Sequence, residues 1–138
     1  MKRLALLLSI TFAVGIAVGW FAVKAASGYV EPVKRTVLLK TDLAGTEGRE
    51  GVVWAIEIAP GAATGNHYHP GHEFVYVLEG AGHTEVEGRP PVTVEAGQAL
   101  YLPPGQVHNT TNASATASAK ALVVYIGANG QPLVVPVQ

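Results

Sequence analysis

From Gly45 onward, glycine and proline interrupt the chain about every 8–12 residues, the rhythm of an antiparallel sandwich or barrel. The breaks fall at Gly45 and Gly48, Pro60-Gly61, Pro70-Gly71, Gly80 and Gly82, residues 88–91, Ala96-Gly97, Pro103-Pro104-Gly105 and Asn129-Gly130. Between them no stretch carries a helical period, and the intervening runs read as strands. Residues 52–58 put Val52, Trp54, Ile56 and Ile58 on one face. Residues 74–78 are apolar on both faces, as in a strand with a core on one side and a partner sheet or subunit on the other. Residues 122–126 form another such run, and Asn129-Gly130 suits a two-residue hairpin turn into residues 133–135. Residues 109–120, rich in Thr, Ser, Ala and Asn, read as a mobile loop. The expectation is a single all-β domain over residues 33–138.

The N-terminus is different. Lys2-Arg3 precedes an uncharged apolar run over residues 4–23, closed by Lys24. This is the layout of an export signal, and the run is long enough to span a bilayer as a hydrophobic helix. Residues 1–25 are therefore expected to be a signal peptide or an uncleaved membrane anchor, with residues 26–32 as a linker. The basic start favours a domain outside the cytoplasmic membrane, periplasmic or extracellular.

Charge and cysteine narrow the function classes. Without the first 25 residues the chain keeps six basic residues against ten acidic ones, a net charge of about -4. No basic stripe exists for nucleic acid. The absence of cysteine excludes thiol catalysis, disulfides, thiolate metal sites and acylation as a lipoprotein.

Histidine and glutamate carry the chemistry. His67 and His69 are two apart and share one face of an extended strand. Pro70-Gly71 turns the chain, and Glu73 opens the next strand, from which it can reach back. His108 follows the Pro103-Pro104-Gly105 turn on a distant strand. Three imidazoles and one carboxylate suit one divalent transition metal with positions left for water or substrate. Manganese, iron, cobalt, nickel, copper and zinc all fit such a set. His72 is out of phase with these ligands, and His83 alternates with Glu85 and Glu87 on an exposed face. Trp54 and Tyr101 are candidates for the pocket wall, whereas alternation points Tyr76 to the opposite face. No Arg or Lys in these strands stands ready to hold a carboxylate or phosphate.

Residues 61–80 follow G-x5-H-x-H-x3-E-x6-G, and residues 97–112 follow G-x5-P-x-G-x2-H-x3-N. All specified positions are met, by Gly61, His67, His69, Glu73 and Gly80, then by Gly97, Pro103, Gly105, His108 and Asn112. The pair resembles the two signature motifs of the cupin superfamily, in its small single-domain, RmlC-like form. The resemblance covers roughly residues 50–128 and implies a double-stranded β-helix, or jelly roll, with a metal in one mouth. It implies His67, His69, Glu73 and His108 as metal ligands, and a metal-dependent oxidoreductase of the dioxygenase kind acting on a small molecule. Glu73 would there ligate or take a proton. The alternative is a non-catalytic module that captures a small ligand in the same pocket.

Phe74, Tyr76 and Leu78 lie opposite the Glu73 face, so they need another cover. Trp54, Ile56 and Ile58 add a further apolar face. Either residues 33–40 cover this surface or a second copy does, and the expectation is a homodimer through the sheet bearing Tyr76.

Overall fold

The computed structural model describes residues 31–138. The N-terminal hydrophobic helix, in either its signal or its anchor reading, and all but the last two linker residues lie outside the described residues. Ten strands follow: β1 (Val33–Asp42), β2 (Arg49–Ile58), β3 (His67–Tyr68), β4 (His72–Glu79), β5 (Ala81–Val86), β6 (Val92–Glu95), β7 (Ala99–Leu102), β8 (His108–Asn112), β9 (Ala119–Ala128) and β10 (Val135–Pro136). Among the described residues every regular element is a strand. They build two five-stranded sheets, ordered β1-β2-β9-β4-β7 and β10-β3-β8-β5-β6. All pairings are antiparallel. This is the expected jelly roll.

Strand alternation decides what faces the interior. On β2, Val52, Trp54 and Ile58 are buried, and on β9 Val123 and Tyr125 are buried. Trp54 pairs with Val123, and Val123 with Val75 on β4, so one row of inward side chains crosses three strands. Val52, Trp54, Val123 and Tyr125 form the core cluster. Each such side chain contributes about 1.5–3 kcal/mol through removal from water. Trp54 and Ile58 thus belong to the interior. They do not enlarge the apolar surface left for a partner, contrary to expectation, because the second sheet already covers that face of β2.

The other face of the first sheet stays open. Phe74, Tyr76, Leu78, Tyr101 and Val124 are all exposed. Residues 33–40 do not lie over them. They form most of β1, which joins the sheet edgewise by pairing with β2.

Two local expectations are corrected. Asn129-Gly130 does not close a hairpin between β9 and residues 133–135. β9 is already hydrogen-bonded to β2 on one side and β4 on the other, so no edge remains. The chain crosses instead to the second sheet, where Val135 pairs with Tyr68 and Pro136 with His67. Nor are residues 109–120 a mobile loop. The first four belong to β8, and the turn beyond is pinned by the buried Asn112 carboxamide. Its Nδ2 lies 3.0, 3.2 and 2.8 Å from the carbonyls of Ile58, Ala59 and Ala117, while its Oδ1 accepts from the Ser114 N–H at 2.9 Å.

Candidate metal centre

The site forms where the two sheets face each other. His67 lies on β3 and His108 on β8, as direct cross-strand partners in the second sheet. His69 follows β3, and Glu73 projects from β4 in the first sheet. The turn between them requires glycine at position 71, since a Cβ there would run into the Ile126 carbonyl oxygen and come within 2.7 Å of the Tyr125 ring. Gly105, with φ of 75°, lets the Pro103-Pro104-Gly105 turn aim its N–H at the His69 carbonyl, 2.9 Å away. The two motifs are thereby tied to each other before any side chain meets.

All four predicted side chains are brought together and buried. One ring nitrogen from each of His67, His69 and His108 lies within 4.8 Å of the others. Glu73 Oε2 is 3.0 Å from His69 Nε2 and 3.4 Å from His108 Nε2. The tautomers follow from the other nitrogens. His67 Nδ1 is 2.8 Å from the Gly65 carbonyl and His108 Nδ1 is 2.9 Å from the Gln106 carbonyl, while His69 Nδ1 meets the Leu133 carbonyl. A carbonyl only accepts, so each Nδ1 carries a proton, and in the neutral ring that ligates a metal each Nε2 is the nitrogen that presents a lone pair to the interior.

When the His69 ring is in that neutral form, two acceptors face each other. His69 Nε2 and Glu73 Oε2 are buried without a hydrogen-bond partner. A neutral imidazole lone pair set against a carboxylate is unfavourable unless a cation lies between them. A divalent ion fits that requirement and the nitrogen/oxygen donor set. Burial holds the His67 pKa down to about 4, opposed by its bond to Gly65 and by the Glu73 charge, with His108 and His69 lowering it further. Burial also lowers His108, opposed mainly by its bond to Gln106. Both rings thus stay neutral, as metal ligands must be.

The chamber beyond these residues has a volume of about 60 Å³. About 10–15 Å³ holds one water, so the space takes a few waters or a small ligand. Its walls include Trp54, Ile56, Val75, Val77, Leu102 and Val123. Thr84 and Thr110, linked by their hydroxyls at 2.9 Å, add polar edges.

Trp54 lines the chamber as expected, its ring 5.8 Å from that of His69. Tyr101 does not. It lies on the outer face, where its hydroxyl meets His72 Nδ1 at 2.9 Å and its ring packs on Phe74. Tyr76 is exposed on that same side, and His83 is an exposed residue bonded to Thr93. One cation that the motifs do not contain also lines the chamber, Arg35 from β1, whereas Lys120 of β9 borders it out of phase with the inward Ala119 and Ala121 and is paired with Glu79. The signal for Arg35 was its phase. It sits between Val33 and Val37 on one face of its strand, opposite Ile56 in the register. Only the pairing with β2 tells which face turns inward.

A family model described as a cupin domain matches residues 54–125. The chain belongs to the cupin family. This cupin is 34% identical over 79 residues to the tetracenomycin polyketide synthase protein TcmJ of Streptomyces glaucescens, an alignment covering 56% of this chain and 50% of TcmJ. The cupin thus spans about half the length of that curated relative. Among solved structures it resembles the DMSP lyase DddQ from Ruegeria pomeroyi DSS-3, with a TM-score of 0.63 and 20% identity, over 82% of this chain and 55% of DddQ. It also resembles the polyketide cyclase RemF from Streptomyces resistomycificus, with a TM-score of 0.59 and 25% identity, over 78% of this chain and 72% of RemF.

Proposed function

We propose that this cupin is a metal-dependent enzyme acting on a small molecule, with His67, His69, Glu73 and His108 as ligands of one divalent transition metal. The observation that carries the reading is the buried, unbridged pair of His69 Nε2 and Glu73 Oε2. A bound ion would supply Lewis acidity toward an oxygen-bearing ligand. The chain's own residues do the rest. The carbonyls of Gly65, Leu133 and Gln106 orient the imidazoles. The apolar walls limit water, and Glu73 either stays a ligand or accepts a proton from the bound molecule.

The similar proteins are named for a lyase, a cyclase and a polyketide synthase component, so shared architecture alone does not choose a reaction. Oxidation of the dioxygenase kind is the reaction class we assign, with turnover-free ligand capture as the second reading. Elemental analysis of the purified full-length protein, followed by oxygen uptake with candidate small molecules, tests both. Metal-dependent oxygen consumption abolished by His69→Ala supports the enzyme. Saturable binding with no turnover supports the second reading. Protein purified under native loading with no metal near stoichiometry would sink both.

Two further assignments complete the proposal. The Lys2-Arg3 start and the apolar run after it support action outside the cytoplasmic membrane, with the membrane as a partner if the segment is retained. The open face bearing Phe74, Tyr76, Tyr101 and Val124 supports a homodimer, with a second copy as its cover.

A further inference from the structure

Arg35 stands apart from two lysines of the same sheet. Lys120 is paired with Glu79 at 3.2 Å, and Lys40 with the buried Glu50 at 3.1 Å. Arg35 forms no ion pair among the described residues. Its strand partner is Ile56, and the partner of Ile56 on β9 is Ala121. All three line the chamber, so the guanidinium heads an otherwise apolar inward row. The residue as a whole is exposed, which places it at the mouth. Burial of part of the side chain nevertheless lowers its pKa, with the charges of Glu73 and Glu31 opposing.

A partly desolvated guanidinium at an apolar mouth is costly without an anion. Glu73 supplies some compensation while the site holds no ion. A divalent ion beside Glu73 takes up that carboxylate's charge. With the imidazoles neutral, the chamber then carries surplus positive charge, and Arg35 is left to recruit an anion from outside. Guanidinium suits a planar carboxylate, which it grips through two parallel N–H donors. The chamber of about 60 Å³, open at the mouth where Arg35 stands, favours a short ligand.

We infer that Arg35 binds the carboxylate of a short organic acid whose second oxygen function faces His67, His69, Glu73 and His108. This rests on the metal-dependent reading above and names the ligand class of that site. Arg35 is here a binding residue that selects charged acids over neutral analogues.

The test uses full-length protein loaded with cobalt(II), with metal content measured and affinities taken by calorimetry. The probes are 2-hydroxybutyrate and its neutral amide, which share the same hydroxyl. The acid is expected to bind at least tenfold more tightly than the amide. Arg35→Met is expected to weaken the acid by about ten- to a hundredfold while leaving the amide and the metal content unchanged. Arg35→Lys restores part of the preference. Unchanged acid binding in Arg35→Met, or a wild type with full metal that does not distinguish acid from amide, overturns the inference and leaves the metal reading standing. Protein that takes up no cobalt overturns the metal reading. The same probes then still report on Arg35, since a lost preference rejects it and an Arg35-dependent one upholds it. Should Arg35→Met fail to fold, the wild-type preference and its reduction in Arg35→Lys decide.

Discussion

His67 and His108 are cross-strand partners, and each donates its Nδ1–H to the carbonyl two residues earlier, of Gly65 and Gln106. The same local device thus orients two ligands from opposite strands. Each needs only its own tripeptide to aim its lone pair inward, and the β3–β8 pairing brings the two together. The first test of this arrangement lies in the acid that faces the rings.

Glu73→Gln keeps the shape of the side chain and removes its charge. The new amide can donate to His69 Nε2, which is otherwise without a partner. The metal-free variant is therefore expected to melt higher than metal-free wild type, by several degrees. Its affinity for a divalent ion is expected to fall at least tenfold, and turnover to be lost. Calorimetry and metal titration read the two opposite changes, and a variant losing both stability and affinity would contradict the unbridged-acceptor picture.

Acid should weaken the metal-free fold. His67 titrates near 4 in the folded protein, against about 6.5 unfolded. Between those values the unfolded chain binds the proton and the folded chain does not. Stability is fully present above about pH 6.5 and declines as pH falls toward 4. The lowered His108 pKa acts in the same direction. Thermal melts of chelator-treated protein from pH 7 to 4 check this, and His67→Phe, which removes the titrating ring, is expected to flatten the upper part of the slope.

Asn112→Ala removes the carboxamide that ties the 113–118 turn to Ile58, Ala59 and Ala117. Leaving those carbonyls short of a donor is expected to cost about 2–4 kcal/mol. Limited proteolysis should then cut within residues 113–118, where wild type resists.

The open face of the first sheet makes a prediction about assembly. Wild type is expected to be a dimer by light scattering at tens of micromolar. Tyr76→Glu, placed at an exposed position, is expected to give a folded monomer with unchanged metal content. A wild-type monomer would reject the assignment.

What could be read from the chain, and what could not, divides by distance along it. His67, His69 and Glu73 meet through a strand repeat of two and one Pro-Gly turn, so their convergence was visible locally. That Val52 and Trp54 share one face was visible too, and so was the outward phase of Tyr76, but that the second sheet covers the Trp54 face was not. Arg35 was not, because its face depends on how β1 registers against β2, some twenty residues away. The Asn129-Gly130 turn misled for a related reason. It has hairpin chemistry, but the strand before it had no free edge, and only the assembled sheet reveals that. Residues 113–118 looked loose by composition, whereas one buried side chain from the preceding strand holds them.

Glu73 belongs to one sheet, and His67 and His108 to the other. An ion held by all of them would be a rivet through the sandwich, so the strength of the wall and the filling of the site become one quantity. At a free metal concentration a thousandfold above the dissociation constant, the fold would gain about 4 kcal/mol. The lifetime of this protein would then be set in part by the metal supply of its compartment, and scarcity would remove the molecule as well as its activity.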